Sequence, residues 1–167
     1  MLECSPELRL TGIDVAVATI EQARAEHRQV NYDVYDGARL PYADGAFDTA
    51  YTICVMHHVP PRQWRVFMEE MRRVVRLGGL VAVIEHNPLN PLTSWLVSAC
   101  PFDRNAVLLR ASKLKGLMRD VGFGEIYHRY ILFTPFDAHP FKRLDRALGW
   151  LPLGAQYLAV GRKIPPV

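Results

Sequence analysis

The chain is poor in cysteine. Cys4, Cys54 and Cys100 are the only three in 167 residues, and they lie far apart, which rules out a disulfide framework and a CxxC metal motif. It also lacks any apolar run approaching the roughly 20 residues that a membrane span needs. No positive patch followed by a continuous apolar stretch marks the N-terminus as a leader. Charge of one sign is missing too: 20 Lys and Arg stand against 17 Asp and Glu, for a net +3. Sixteen of the basic residues are Arg, and they are spread along the chain rather than gathered into a stripe, which speaks against nucleic acid as a partner. With half the residues hydrophobic and 22% charged, the chain is no disordered polyelectrolyte. These absences predict one soluble, cytoplasmic domain over 1–167, with no nucleic-acid partner and no membrane span.

What is present is an alternation of extended and helical segments. Arg9 to Asp14 is a short apolar run ending in an acid, and Val17 to Arg28 has helical composition. Val30 to Tyr35 is a second extended candidate, closed by Asp36-Gly37 and a loop over Leu40 to Gly45. Phe47 to Met56 is nearly all apolar, the pattern of a strand buried on both faces of a parallel sheet. Pro61 suits the first turn of a helix whose Trp64, Phe67, Met68, Met71, Val74 and Val75 recur every three or four residues. Arg72, Arg73 and Arg76 load the end of that helix, and Gly78-Gly79 is expected to stop it. Leu80 to Ile84 reads as a buried strand ending at Glu85-His86-Asn87. A long connection, Pro88 to Arg110, carries a short helical piece at Leu92 to Val97. A helix over Ser112 to Val121, capped by Ser112 and stopped by Gly122, follows. Glu125 to Phe133 and Gln156 to Gly161 read as closing strands, with a short helix near Phe141 to Leu148 between them. The order predicts an α/β sheet with helices on its faces.

In such sheets ligands bind beyond the carboxyl ends of the strands. Asp14, Asp36, the Cys54 to His58 segment and Glu85-His86-Asn87 all fall there. A carboxylate at the second such end can accept hydrogen bonds from both hydroxyls of a ribose; the plainer role for Asp14 is a helix N-cap.

Four segments in order, Leu10-Thr11-Gly12-Ile13-Asp14, Asp36-Gly37-Ala38-Arg39-Leu40-Pro41, Phe47-Asp48 with Val55-Met56-His57-His58-Val59, and Arg73-Val74-Val75-Arg76-Leu77-Gly78-Gly79-Leu80, resemble class I S-adenosylmethionine-dependent methyltransferases. The likeness is to the small-molecule subgroup sharing the type 11 methyltransferase domain. It implies a Rossmann-like, doubly wound, mostly parallel sheet with an antiparallel last strand, and S-adenosylmethionine as cofactor. By the same resemblance Asp14 holds the ribose hydroxyls and Asp36 faces the adenine amino group. Gly37 and Ala38 border the adenine ring, and the segment from Cys54 to His58 runs beside the methionine part.

The sequence departs from that family in one place. A glycine-rich turn normally stands about 20 residues before the ribose acid, as in the analogous dinucleotide fingerprint. Met1 to Glu7 contains no glycine and reads as the tail of a helix, so the sheet is expected to lack the first strand and its glycine turn. In the family that strand lies between the strand ending at Asp14 and the strand over Phe47 to Met56. Its absence leaves two unpaired edges, through which the chain could self-associate.

Methyl transfer from a sulfonium is an in-line displacement that depends on alignment. A general base assists a hydroxyl or amine acceptor, and His57, His58 or His86 are the candidates; packing or cofactor contact are the competing roles. On a strand end His57 and His58 would point to opposite faces, so that only one reaches a pocket. Glu85 or His86 is a candidate substrate contact. No metal is expected, because the spacing matches no helical or finger-type ligand set. Pro88 to Arg110 is expected to act as a substrate lid through Trp95, Phe102, Asp103 and Arg104, or else simply to cover the sheet. The expected function is methylation of a small molecule. The alternatives are a nucleotide-dependent oxidoreductase, which would need its own glycine fingerprint, and a non-catalytic remnant acting as an interaction module.

Overall fold

A computed structural model describes residues 7–134 and 139–165, so all but Glu7 of the expected helix tail lies outside the described residues. The chain divides into two compact units, Met1–Tyr42 and Ala43–Val167. In the first, β1 (Thr11–Asp14) pairs in parallel with β2 (Asn31–Val34), and α1 (Val17–Glu26) makes the crossover. Ile20 is the buried residue of α1. Arg24 of that helix donates to the carbonyl of Tyr32 and so ties it to β2.

The second unit is a four-stranded sheet in the order β3-β4-β6-β5: β3 (Phe47–Ile53), β4 (Val75–His86), β5 (Phe123–Ile131) and β6 (Gln156–Lys163). β3 and β4 are parallel, whereas β6 runs antiparallel to both of its neighbours. The expected α/β, mostly parallel arrangement with an antiparallel last strand is therefore observed. Among the described residues, β1 pairs only with β2 and β3 only with β4. Around the sheet lie α2 (Trp64–Val74), α3 (Pro91–Ala99), α4 (Ala111–Asp120) and α5 (His139–Ala147).

Several boundaries differ from the sequence reading, each for a physical reason. Gly78 and Gly79 do not stop α2; the helix ends at Val74 and β4 starts at Val75. The two glycines instead sit in a bulge, where two steps of β3 (Phe47 to Thr49) face five of β4 (Val75 to Leu80). Gly78 takes φ +78°, and a Cβ on Gly79 would lie 2.5 Å from the carbonyl oxygen of Asp48. Arg76 consequently leaves the helix end and pairs with Asp48 at 2.6 Å. β3 is an outer strand, and only Thr52 of its residues is buried. The apolar run was expected to be covered on both faces, but Tyr51 and Ile53 are exposed. Arg110, not Ser112, occupies the N-cap of α4, without a side-chain bond. Gly122, at φ +88°, does end that helix region.

The core of the second unit follows the helical spacing of α2. Trp64, Met68, Met71 and Val74 are its buried residues, and each such side chain removed from water contributes about 1.5–3 kcal/mol. Val81 and Val83 of β4 and Tyr157 and Ala159 of β6 are fully buried. The Tyr157 hydroxyl donates to the carbonyl of Leu109 at 2.8 Å, satisfying a polar group that burial would otherwise leave costly.

Two glycine substitutions test the bulge. Gly79→Ala is expected to destabilise the chain by about 1–3 kcal/mol through overpacking. Gly116→Ala, at a helical position with nothing within 4 Å of the added Cβ, is expected to stabilise it by about 0.5–1 kcal/mol. Urea unfolding measures both, and equal effects would contradict the bulge.

Candidate functional site

In the first unit the acids predicted from strand ends stand where β1 and β2 finish. Asp14 is the last residue of β1, and its Oδ1 accepts from the backbone N–H of Ala16 at 2.8 Å. Ala16 is the N-cap of α1 and has no side-chain cap, so Asp14 holds the turn before the helix and is not itself the cap. The backbone carbonyl of Asp14 accepts from Tyr35 N at 3.2 Å, which extends the pairing one step past β2. Asp36 Oδ1 accepts from Ala38 N at 2.9 Å and Arg39 N at 3.2 Å. Those two bonds hold the Asp36 carboxyl below its ordinary pKa. Gly37 supplies the φ of +80° that the turn requires. Among the described residues, Oδ2 of Asp14 and Oδ2 of Asp36 have no hydrogen-bond partner. Two carboxylate oxygens on neighbouring strand ends, beside the small pair Gly37-Ala38, suit a group rich in hydroxyl and amino donors.

In the second unit β3 stops because Cys54 takes φ +54°, an uncommon conformation for a residue with a side chain. Cys54 N still donates to Ile84 O at 2.9 Å, after which the chain turns away from β4. Met56–His58 then forms a 3-10 turn. His57 and His58 therefore do not alternate across a strand end as expected, and both reach one carboxylate, Asp103. His57 Nε2 lies 3.5 Å and His58 Nε2 3.3 Å from Asp103 Oδ1.

The residue that organises this turn is Glu85. It follows Val81 and Val83 on the buried face of β4 and is 1% exposed. Its Oε1 accepts from Met56 N at 2.6 Å, and its Oε2 lies 2.6 Å from His57 Nδ1. Trp64 Nε1 holds the same turn from α2, donating to the carbonyls of Met56 and Val59 at 3.1 and 2.9 Å. Asp103 lies in a 3-10 turn, Pro101–Asp103, after α3. Val107 N donates to His57 O at 2.8 Å and binds this connection to the histidine turn.

Electrostatics separate the histidines. For His57, burial disfavours the charged form, but the hydrogen bond and charge of Glu85, reinforced by Asp103, outweigh it and raise the pKa. For His86, burial and then the charge of His57 lower it. The His86 ring stands 5.1 Å from that of His57, and neither of its nitrogens has a hydrogen-bond partner among the described residues. Cys54 Sγ accepts from Gln156 Nε2 at 3.2 Å. Burial, followed by the charges of Glu85 and Asp103, pushes its thiol pKa up to about 11.

Within Pro88 to Arg110 the expected contacts divide. Asp103 joins the histidines, whereas Trp95, Phe102 and Arg104 are exposed, Phe102 at 90%. Glu85 was legible as a strand-end acid, but its role as the anchor of His57 was not. Gln156 gave no signal, because β6 is brought beside Cys54 only by the antiparallel closure of the sheet.

Residues 2–83 match a family model described as a methyltransferase domain. Over 80 residues the chain is 38% identical to methyltransferase GfsG of Streptomyces halstedii, a match covering 44% of this chain and 28% of that protein. Over 84 residues it is 33% identical to O-methyltransferase resE of Aspergillus sclerotiorum, covering 47% of this chain and 31% of the other. The matched stretch thus spans under a third of either relative. In fold the chain is similar to a SAM-dependent methyltransferase from Archaeoglobus fulgidus, with a TM-score of 0.73 at 13% identity, covering 97% of this chain and 80% of that one. No helix among the described residues is long and apolar enough to cross a membrane.

A thiol with a pKa of about 11 in place of 9.0 carries about 100-fold less thiolate at pH 8. Cys54 is therefore expected to alkylate with iodoacetamide about two orders of magnitude more slowly than an ordinary thiol, as read by peptide mass mapping. Labelling of Cys54 at the rate of a free thiol would contradict this environment.

Proposed function

We propose that this chain is a class I S-adenosylmethionine-dependent methyltransferase that methylates a small molecule, with oxygen as the acceptor atom; the match of residues 2–83 to a methyltransferase-domain model and the methyltransferase-like fold support the reading. The observation that carries the reading is the pair of carboxylates, Asp14 and Asp36, at the ends of two neighbouring parallel strands, each with one oxygen used by backbone and one left over. In this reading Asp14 accepts from the ribose hydroxyls and Asp36 from the adenine amino group, while the small Gly37-Ala38 pair lets backbone approach the flat ring. S-adenosylmethionine, when bound, supplies an electrophilic methyl group on a sulfonium. Cys54, in the second unit, offers packing and no charge, since a raised thiol pKa keeps it protonated and neutral.

The choice of oxygen draws on the relative named as an O-methyltransferase. A hydroxyl acceptor must lose its proton as the new bond forms. Of the three histidines, His57 and His58 face carboxylates, whereas His86 keeps both ring nitrogens without a partner among the described residues. His86, at the carboxyl end of β4, is therefore the residue to which we assign the acceptor's proton. His57 is positioned by Glu85 and acts through the shape of the turn.

Calorimetric titration with S-adenosylhomocysteine tests the first assignment. Saturable heat is expected, and Asp14→Ala should weaken binding by about 10–100-fold, the loss of a hydrogen bond to a charged group. Silence from the folded chain would favour the non-catalytic interaction module, and unchanged affinity in the variant would remove Asp14 from the ribose. His86→Ala should leave that affinity within about 2-fold and lower methyl transfer to a panel of hydroxyl acceptors by about 10²–10⁴-fold. Full transfer by the variant would reassign the base.

A further inference from the structure

The geometry points to a binding site for one divalent transition-metal cation, of the zinc type, formed by His57 Nε2, His58 Nε2 and Asp103 Oδ1. The three residues offer ligand atoms that all lie within 4.8 Å of one another. The spacing along the chain argued against a metal, but that rule concerns ligands supplied by one segment. Here two ligands come from the 3-10 turn after β3, and the third arrives from the turn after α3.

The distances discriminate between a hydrogen-bonded cluster and a metal site. An N–H···O hydrogen bond spans about 2.7–3.2 Å. Asp103 Oδ1 is 3.5 Å from His57 Nε2 and 3.3 Å from His58 Nε2, too long for good hydrogen bonds. Ligand atoms held about 2.0–2.2 Å from a tetrahedral ion are separated by about 3.3–3.5 Å. The two separations from Asp103 thus match atoms that share an ion, and the two imidazole nitrogens lie within 4.8 Å of each other. Two imidazoles with one carboxylate form a donor set that suits divalent zinc, cobalt and nickel.

The surroundings resemble those of a built site. A metal-binding histidine commonly gives its other ring N–H to a carboxylate, which fixes the tautomer and aims the lone pair. His57 does so: Nδ1 meets Glu85 Oε2 at 2.6 Å, which leaves Nε2 to face Asp103. Glu85 is itself held by Met56 N, and both it and the His57 side chain are 1% exposed. Asp103 is held by its own turn, with Asp103 N donating to Cys100 O and Ala106 N to Asp103 O. His58 is 46% exposed and gives an ion a way in. Three protein ligands leave a fourth position for water or an oxygen donor.

Stripping the purified full chain with chelator and titrating it with cobalt(II) tests the proposal, because a tetrahedral cobalt site has visible absorption. One equivalent is expected to bind with that absorption, and zinc should displace it. Asp103→Asn and His58→Gln should each weaken cobalt binding by at least about 100-fold. Glu85→Gln, which only orients His57, should weaken it by about 10–100-fold. Replacing Cys54 or Cys100 with serine should change nothing. The proposal is overturned if the folded, stripped chain develops no cobalt absorption, or if the absorption persists at full affinity in both Asp103→Asn and His58→Gln. Should Asp103→Asn fail to fold, His58→Gln, at an exposed position, decides alone. The assay contains neither methyl donor nor acceptor, so its failure would leave the methyltransferase reading untouched.

Discussion

A carboxylate buried in the face of a strand has to be answered by donors, and the answer given to Glu85 organises the histidine edge of the second unit. Its two oxygens are taken by the backbone N–H of Met56 and by His57 Nδ1, both at 2.6 Å. An unanswered carboxylate at that depth would cost several kcal/mol, so the turn after β3 has little freedom in where it can sit. That constraint orients His57 toward Asp103, draws the connection after α3 against the turn through the bond from Val107 to His57, and places Trp64 beneath it.

β4, which supplies that carboxylate, is the one strand among the described residues with two dissimilar partners, parallel β3 and antiparallel β6. Its side chains and their burial alternate with period two, so Val81, Val83 and Glu85 share one face, while Ile84 and His86 share the other. One short segment thereby directs an acid into the core and an imidazole away from it. The two histidines in question acquire different properties from this arrangement: His57 is tied to carboxylates, whereas His86 has no hydrogen-bond partner among the described residues and its pKa is lowered by partial burial and by the charge of His57.

Much of this was legible in the residues. Asp14 and Asp36 closed their runs as strand-end acids, and the helical spacing from Trp64 to Val74 identified the buried face of α2. Local pattern sufficed there because each signal sits within one element. It misled where a residue's fate depends on a neighbour in space. The Gly78-Gly79 pair has the composition of a helix stop, yet β3 needed a bulge at that point. Phe47 to Met56 has the composition of a doubly covered strand, yet β3 is an outer strand of its sheet and its Tyr51 and Ile53 are exposed. His57 and His58 were assigned to opposite faces because nothing local announced that Cys54 would take a positive φ and end the strand before them.

The sequence by itself determined the class of fold, the order of its elements and the acids at its strand ends, since periodicity and turn chemistry are written over a few adjacent residues. Tertiary structure alone decided which groups meet. Glu85, His57, His58 and Asp103 come from three separate elements, and their convergence rests on the desolvation of one carboxylate and the bonds that answer it, interactions that exist only once β4 is buried.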